Sequence, residues 1–379
     1  MFTVCGGALG LATLMTLSML GIDAAGVDNR GVEQPNQDLI MPKLPIQYQS
    51  LGASGLKVSR LWLGAMMFGD QTDEAEAANI VAASLDAGLN AIDTANTYAG
   101  GESERITGRL IAAQREHWVL ATKLANPVGP GPNQRGLSRR HMLQAVDASL
   151  LRLGTDWIDL LYLHREDAST PLEETLGAIA HLIDSGKVHH FGLSNFRAWN
   201  VARVAEMCRS MGIAPPIACQ PPYNAMSRQI ETELLPCCAH YGIGVVAYSP
   251  LARGVLSGKY RSDAVPPPGS RAARQDKRIL QTEFRPESLA LAQRMADHAR
   301  SRGLTPTQLA LGWVWNNRLV NGLIGGPRTL AQWQDYLEAM NTPFTADDEA
   351  FVSGLVSAGH ASTAGYNDPA YPLVGREPR

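Results

Sequence analysis

The sequence predicts a (β/α)8 TIM barrel with an N-terminal β-hairpin. Eight short apolar segments between residues 61 and 326 are each followed by a segment with helical periodicity. Continuous apolar runs of this kind are typical of parallel strands that are covered on both faces. The first of them, LWLG at 61–64, continues as AMMFGD, without the glycine-rich turn that opens a doubly wound sheet. The barrel is therefore favoured over the doubly wound sheet.

The predicted elements follow one another from residue 48. YQSLGASGLKVSRL indicates a hairpin turning around ASG, and acidic residues early in 72–88 with Gly88 at its end are typical helix boundaries. The remaining strands are predicted at 90–94, 117–123, 157–164, 188–195, 217–220, 243–250 and 321–326. The remaining helices are predicted at 101–114, 138–154, 171–186, 198–212, 230–242, 287–302, 306–317 and 330–340.

Composition and charge indicate an ordinary globular protein. The chain has 379 residues, is 45% hydrophobic and carries a formal net charge of −3, with both signs mixed along its length. Basic blocks are missing, which argues against a nucleic-acid partner. Five cysteines form no regular framework, which favours a reducing, cytoplasmic location. CCAH at 237–240 lacks a second ligand pair at a suitable spacing, so no metal site is predicted.

Residues 1–45 are predicted to be a flexible or misassigned extension, and 46–379 to be the barrel with a C-terminal tail. The first twenty residues are apolar but lack the positive region that begins a secretory signal. Two explanations of residues 1–40 stay open: an extension upstream of the true start, or a signal or weak membrane anchor. No membrane association is expected unless residues 1–22 form a real anchor.

Polar residues stand at the ends of three neighbouring predicted strands. Asp93 ends the second, Lys123 the third and His164 the fourth, and Tyr98 follows Asp93 by five residues. Because the carboxyl ends of barrel strands share one rim, we expect these four side chains to meet there.

Those four residue types suit proton donation to a carbonyl oxygen. A free phenol has a pKa of about 10, and the ammonium group of Lys123 is expected to lower the pKa of Tyr98. Asp93 is expected to hold Lys123, and His164 to orient the carbonyl oxygen beside the phenol. Since no activated serine or cysteine is evident, hydride from a bound cofactor is the expected nucleophile.

Several longer motifs match a known family in order and spacing. They are IDTANTY with GESE, ATK, DLLYLHRED, GKVHHFGLSNF, YSPLARGVLSGKY and GGPRTLAQ. Over about residues 46–372 the sequence resembles the aldo-keto reductases, in the branch that contains potassium-channel β subunits and bacterial reductases. The resemblance implies a catalytic tetrad of Asp93, Tyr98, Lys123 and His164, with Tyr98 as general acid. It also implies NADP-dependent reduction of aldehydes or ketones to alcohols.

The resemblance implies a site for NADP along the same rim. Nicotinamide recognition would fall to Ser194, Asn195 and Gln220, with the ring stacked on Tyr248. The residues implied to bind the pyrophosphate and its neighbourhood are Ser249, Pro250, Leu251, Lys259 and Arg271, with backbone contacts from Ala65 and Met66.

The last motif, GGPRTLAQ, is implied to bind the adenosine end. Gly326 would let the backbone approach closely, and Arg328 would grip a 2′-phosphate, which favours NADP over NAD. Gln332 would reach the adenine. The family often has a Glu-Asn pair further along this helix, where this chain has Asp335 and Tyr336.

Two functions remain open beside the reductase. One is a redox-sensing regulatory subunit that binds NADPH; the other, a metal-dependent barrel hydrolase, would need paired histidines that LWLGAMM lacks. The partner expected for the reductase is a small carbonyl compound. Segment 251–285 is too long and proline-rich for a simple connector and is predicted to fold over the cofactor. Loops 65–72 and 124–137 and the tail should shape the pocket, the tail either covering the site or packing beneath the barrel.

Overall fold

The computed structural model describes residues 48–372, and the elements of that part are numbered here in chain order. The strands are β1 (Tyr48–Ser50), β2 (Lys57–Ser59), β3 (Leu61–Gly64), β4 (Ala91–Asp93), β5 (Val119–Leu124), β6 (Ile158–Leu163), β7 (Val188–Ser194), β8 (Ala218–Gln220), β9 (Gly244–Ala247) and β10 (Gly322–Gly325). The helices are α1 (Glu74–Asp86), α2 (Glu102–Ile111), α3 (Arg139–Leu153), α4 (Leu172–Asp184), α5 (Ala198–Met211), α6 (Leu234–Tyr241), α7 (Lys277–Thr282), α8 (Pro286–Ser301), α9 (Pro306–Asn316), α10 (Leu330–Ala339) and α11 (Ala346–Ser353).

Strands β3 to β10 close into a barrel in which every neighbouring pair is parallel. β10 pairs with β3 to complete the ring, and β1 and β2 form a separate antiparallel hairpin. The predicted (β/α)8 barrel with an N-terminal hairpin is confirmed. Because all eight strands run in one direction, their carboxyl ends meet at one rim, as the grouping of Asp93, Lys123 and His164 requires.

The hairpin closes the amino-terminal end of the barrel. Leu51 and Val58 are fully buried and belong to the same apolar cluster as the interior side chains of the barrel. Gly52 has a φ of +59°, and a Cβ there would lie 2.3 Å from the carbonyl oxygen of Gly242. The ASG turn therefore fits this end only because Gly52 lacks a side chain.

Two large aromatic residues fill the barrel interior. Trp62 and Tyr162 are fully buried in the interior cluster, and a Cβ on Gly192 would lie 2.6 Å from the Tyr162 ring. Small residues on the other strands leave room for these rings: Ala91, Ala121 and Ala218. Large and small side chains thus interdigitate to fill the interior without a pore.

Segment 251–285 is more ordered than the sequence predicts. It contains α7, whose first turn is capped because Asp276 accepts hydrogen bonds from the backbone of Arg278 (2.9 Å) and Ile279 (3.1 Å). Helix α11 was also not predicted; the reciprocal capping of Thr345 and Asp348 starts it. Its eight residues fall within the tail, where the apolar pattern is too short to indicate a helix.

The tail after α11 runs back over the carboxyl-terminal rim. The backbone N–H of Ser362 donates to Met226 (2.8 Å), and that of Arg228 donates to His360 (2.9 Å). Of the two predicted places for the tail, the structure shows the one that covers the site. The predicted extension 1–45 lies outside the described residues, as does the chain after 372. No helix within 48–372 combines the length and the hydropathy needed to cross a bilayer.

Candidate active site

The four predicted side chains meet at the carboxyl-terminal rim. β4 ends with Asp93, β5 carries Lys123 as its penultimate residue, and His164 directly follows β6. Tyr98 begins a short 3-10 turn five residues after the end of β4. Its ring lies edge-on to that of His164, with centroids 6.1 Å apart. The barrel therefore brings together side chains that are up to 71 positions apart in the chain.

Lys123 is the centre of this group. Its ammonium group donates hydrogen bonds to the Asp93 carboxylate, to the carbonyl of Thr94 (2.7 Å) and to the hydroxyl of Tyr98 (3.2 Å). Lys123 and Asp93 are 1% and 3% exposed. Burial alone would lower the pKa of Lys123, but the charge of Asp93 and the contact with Tyr98 hold it above the ordinary value. The amine therefore stays charged, as a buried partner of a carboxylate should.

The pKa of Tyr98 differs from the sequence-based expectation. Burial raises the pKa of the phenol, and the charge of Lys123 opposes only part of that rise. The expected net lowering is therefore wrong, although Lys123 acts in the expected direction. The phenol keeps its proton near neutral pH, and the ammonium group stands ready beside the oxygen that would become negative.

His164 is neutral and held by Asn126. Burial lowers the pKa of His164 to about 3, with the charges of Lys123 and Arg165 adding to the shift. The side-chain amide of Asn126 lies 3.2 Å from Nδ1 of the ring. With the amide nitrogen as donor, Nδ1 accepts and the ring proton resides on Nε2. Asn126 thus favours the tautomer in which His164 donates a hydrogen bond through Nε2.

A cavity of about 600 Å³ opens above these groups. Its walls include Asp93, Tyr98 and His164 and thirteen of the fourteen residues predicted to bind the cofactor: Met66, Ser194, Asn195, Gln220, Tyr248, Ser249, Pro250, Leu251, Lys259, Arg271, Gly326, Arg328 and Gln332. Ala65 is the exception. It is fully buried, its N–H donates to the backbone carbonyl of Asp93 (2.8 Å) and its own carbonyl accepts from the Ser103 hydroxyl (2.7 Å), so its backbone is already used.

One side of the cavity carries a chain of amide and hydroxyl groups. Tyr248 donates to the side-chain oxygen of Asn195 (2.8 Å), whose amide nitrogen donates to the His164 carbonyl (2.9 Å) and to Ser194 (3.0 Å). Gln220 donates to Asp93 (2.9 Å). These bonds fix the orientation of the cavity wall next to the four predicted catalytic groups.

The other end of the cavity collects positive charge. Lys259, Arg271 and Arg328 line it, and burial lowers the pKa of Lys259 to about 8, with the charges of Arg328, Arg271 and Arg274 adding to the shift. Arg271 pairs with Asp276 (3.1 Å), whereas Arg328 donates to a carbonyl, that of Gly269 (3.0 Å). Cations that cluster at one end of a cavity and repel one another in this way suit a multiply charged anion.

Gly326 and α10 border this cationic end. A Cβ on Gly326 would touch nothing within 4 Å, which leaves open space beside its backbone. Gln332 accepts from the backbone N–H of Arg328 (2.9 Å) and so braces the turn before α10. Asp335 and Tyr336 also line the cavity. The Tyr336 ring packs against Trp333, with centroids 5.7 Å apart, so it acts as a wall here.

Several cavity residues were not predicted individually: Asn126, Arg253, Arg278 and Tyr371. Asn126 lies in loop 124–137 and Tyr371 in the tail, both of which the sequence indicated as pocket segments. Arg253 stands inside the recognised motif SPLARG, but the resemblance gave no role to its side chain. Among residues 48–372, no group of three His, Cys, Asp or Glu side chains is arranged to hold a metal ion.

The geometry defines a class of protein: a barrel with a tyrosine–lysine pair at its carboxyl-terminal rim beside a cationic pocket. The family model described as "Aldo/keto reductase family" matches residues 60–355. The chain belongs to the aldo/keto reductase family. This membership and the relatives support the conclusion that it is an oxidoreductase.

Three relatives show the range within the family. A "Probable voltage-gated potassium channel subunit beta" from Arabidopsis thaliana is 38% identical over 80% of this chain and 95% of its own length. An "Uncharacterized oxidoreductase YrpG" from Bacillus subtilis is 37% identical over 78% of this chain and 91% of its own. An "L-glyceraldehyde 3-phosphate reductase" from Escherichia coli K12 is 33% identical over 78% and 88%.

Proposed function

We propose that this protein is an NADP-dependent reductase that converts aldehydes or ketones to alcohols, with Tyr98 as general acid. The observation that carries the proposal is the contact of Lys123 with Tyr98 (3.2 Å) at the floor of the cavity. A protonated phenol beside a buried ammonium group suits donation to an oxygen that becomes negative. The tetrad roles of Asp93, Lys123 and His164 belong to the same proposal.

Tyr98 would release its proton only as negative charge develops on the substrate oxygen. Burial keeps its pKa high and the proton in place beforehand. As the proton leaves, the ammonium group of Lys123 stabilises the phenolate, and Asp93 keeps that ammonium fixed. The stabilisation is therefore greatest in the transition state, which is where it accelerates the reaction.

His164 would orient the carbonyl group. Because its pKa is lowered to about 3, the ring is neutral and donates through Nε2 while Asn126 occupies Nδ1. A carbonyl oxygen that accepts this bond lies beside the Tyr98 hydroxyl, since the two rings are neighbours. Asn126 is in this scheme a positioning residue that acts through His164.

NADPH would lie along the length of the cavity. Bound NADPH supplies hydride to the carbonyl carbon. Ser194, Asn195, Gln220 and Tyr248 would hold the nicotinamide, and the backbone of Ser249, Pro250 and Leu251 the pyrophosphate. The cations at the other end, Lys259, Arg271 and Arg328, would bind phosphate groups, with Met66, Gly326 and Gln332 as further contacts. The excess of cations there favours the extra phosphate of NADP over NAD. Ala65 is left out of this proposal.

The Tyr98→Phe variant tests the assigned acid. Loss of the hydroxyl should lower kcat/KM for a simple aldehyde by about 10²–10⁴-fold, the usual contribution of a general acid. NADPH oxidation followed optically over a panel of aldehydes and ketones gives kcat/KM, and fluorescence titration gives the NADPH dissociation constant. Tyr48→Phe removes a hydroxyl from the hairpin, outside the cavity, and serves as the matched control.

We expect Tyr98→Phe to lose most of its turnover and the control Tyr48→Phe to keep the turnover of the wild type. Both variants should retain NADPH binding. Unchanged turnover in Tyr98→Phe would remove the assigned acid. A comparison of NADPH with NADH in the same assay tests the cofactor. A preference for NADH would contradict the role given to Arg328.

The second candidate is an NADPH-binding redox-sensing regulatory subunit. The 38% identity to a protein named as a probable potassium channel subunit favours it. The two functions differ in turnover: a reductase should complete many cycles with a simple aldehyde, whereas a sensor should bind NADPH with little turnover and co-purify with membrane partners. The complete set supports the reductase: Asp93, Tyr98 and His164 line one cavity, and Lys123 donates hydrogen bonds to Asp93 and Tyr98.

A cytoplasmic location is part of the proposal. The four described cysteines, Cys208, Cys219, Cys237 and Cys238, are all free thiols. Free thiols are typical of proteins kept in a reducing compartment, which is where NADPH is available as a reductant.

A further inference from the structure

Arg253 is a cavity residue held in an unusual conformation. It lies in the turn after β9 with φ 54° and ψ 24°, in the left-handed region that non-glycine residues seldom occupy. Its Nε donates to the hydroxyl of Thr282 in α7 (3.1 Å). A strained backbone and a tether together fix the guanidinium group at the cavity wall, a combination typical of functional positions.

The outer nitrogens of Arg253 have no partner within residues 48–372. Only its Nε makes a hydrogen bond there, and no carboxylate of the described chain lies within ion-pair distance. The neighbouring carboxylate, Asp368, is engaged by both outer nitrogens of Arg278 (3.0 and 2.7 Å). Arg253 thus presents a free pair of N–H donors to the cavity.

Arginines outnumber carboxylates around Arg253, since Arg253, Arg278 and Arg285 share the carboxylates Glu283 and Asp368. Glu283 is 7% exposed, and burial raises its pKa, an effect that the charges of Arg253 and Arg285 only partly oppose. Its Oε2 accepts no hydrogen bond from the described residues. With Asp368 paired to Arg278, the arginines outnumber the carboxylates at this side of the cavity and keep a net positive field there.

Arg253 faces the part of the cavity that holds the proton donor. Burial raises the pKa of Tyr98, and the charge of Arg253 is among those that act against the rise. Tyr371, from the tail, lines the same cavity; burial and the charge of Asp368 raise the pKa of its phenol, and the charges of Arg165, Arg278 and Arg253 oppose the rise. A ligand whose carbonyl oxygen meets Tyr98 therefore extends into a region rich in arginine.

We propose that Arg253 binds an anionic group of the substrate, so that the preferred substrates are carbonyl compounds carrying a carboxylate or a phosphate. This inference rests on the proposed reductase function. A planar guanidinium with two free N–H donors matches the two oxygens of a carboxylate or phosphate. Binding there orients the far end of the substrate while His164 orients its carbonyl end.

Two matched pairs of aldehydes test the inference. 4-Carboxybenzaldehyde and methyl 4-formylbenzoate differ by one negative charge, and glyceraldehyde 3-phosphate and glyceraldehyde differ by a phosphate of about −1.5 to −2 at pH 7. In the wild type, kcat/KM should favour the anionic member by about tenfold or more, the size expected for a hydrogen-bonded charge pair. Comparing the two pairs tells whether the site selects carboxylate or phosphate.

The variants are Arg253→Met, Arg253→Lys and Arg261→Met. Arg253→Met should reduce the ratio of kcat/KM for the anionic aldehyde to that for the neutral one to near one, mainly through KM. Arg253→Lys should restore part of this preference. Arg261 lies in the same segment but is exposed and paired with Asp263 (3.0 Å), so Arg261→Met is the matched loss of charge and should keep the wild-type ratio. Circular dichroism and the thermal midpoint verify that each variant folds.

Two results would overturn the inference. A wild-type ratio near one would remove the anion site. If Arg253→Met binds NADPH more weakly, and kcat/KM falls equally for the anionic and the neutral aldehyde of each pair, Arg253 would be placed on the cofactor pyrophosphate instead. If no aldehyde is reduced, calorimetry on protein saturated with NADP+ still compares the dissociation constants of 4-carboxybenzaldehyde and its methyl ester. A tenfold preference that Arg253→Met abolishes then supports the site while the reductase proposal fails.

Discussion

Lys259 lies at the cavity wall with much of its side chain exposed, and its charged neighbours are mostly cations. Burial lowers its pKa to about 8, and the charges of Arg328, Arg271 and Arg274 act in the same direction. A bound phosphate would reverse this, because an adjacent negative charge favours the ammonium form. The pKa of Lys259 in the NADPH complex should therefore lie above 8, so that binding takes up a proton wherever the free amine is neutral.

NADPH affinity should accordingly fall with rising pH. Below about pH 7 the ammonium is present in both states and contributes fully, and above the free-state pKa the dissociation constant should increase by up to about tenfold per pH unit. Fluorescence titration of NADPH between pH 7 and 9.5 measures this slope. Lys259→Met should bind more weakly with a nearly flat profile. A flat profile in the wild type would show that Lys259 does not contact a phosphate.

Residues 357–372 form a strap across the carboxyl-terminal rim. Arg278 in α7 holds it through the two bonds to Asp368, and Arg197 before α5 donates to the carbonyl of Pro372 (2.9 Å). The guanidinium of Arg285 stacks on Tyr366 at 3.6 Å. These contacts join the strap to elements that are distant in the sequence and keep Tyr371 at the cavity.

Asp368→Asn should loosen the strap over the cavity. The paired side chains are 33% and 24% exposed, so the loss is that of a partly screened ion pair. An increase in KM for the aldehyde of about two- to fivefold is expected, equivalent to about 0.4–1 kcal/mol. Steady-state kinetics measure KM, and limited proteolysis measures the release of the strap. Asp263→Asn, which breaks the exposed pair with Arg261, is the matched control. Equal KM values in both variants would separate the strap from substrate binding.

The barrel depends on the packing of its interior as a unit. Trp62 is fully buried there, and a Cβ on Gly322 would lie 3.0 Å from its ring nitrogen. Every strand of the barrel except β7 contributes a buried side chain to the same cluster, and the contribution of β10 is Ile324. Removing the indole would leave a cavity that several strands border and none can fill alone.

Trp62→Ala should therefore lower the free energy of unfolding by about 3–5 kcal/mol, the usual cost of a large-to-small change in a core. Trp199 in α5 is 61% exposed, so Trp199→Ala should change it by less than about 0.5 kcal/mol. Urea unfolding followed by circular dichroism compares the two variants. Similar midpoints for both would mean that the barrel interior relaxes around the missing ring.

Most of the fold was predictable because it follows from local patterns. Short apolar runs alternating with helical segments gave eight strands in the right order, and the positions of Asp93, Lys123 and His164 at strand ends placed them at one rim. Helices α7 and α11 were not predicted, since each is short and begins with a capping residue, Asp276 or Thr345, that resembles ordinary loop composition.

Only those features of the site that depend on the repeated strand ends of the barrel were predictable. Whether Tyr98 has a raised or lowered pKa depends on how deeply the whole rim buries it, and burial outweighs Lys123. The use of the Ala65 backbone by Asp93 and Ser103 is likewise a matter of three-dimensional neighbours. Neither can be deduced from spacing along the chain.

Apolar periodicity and the residues at strand ends were enough to establish the closed barrel and the group around Tyr98, because strand direction and side-chain alternation are repeated in each unit. The partners that depend on loops were decided by the folded chain: Asn126 on His164, Arg253 at the cavity wall, and Tyr371 brought by the strap. Loops have no such period, so their contacts arise from packing between segments that are far apart in sequence.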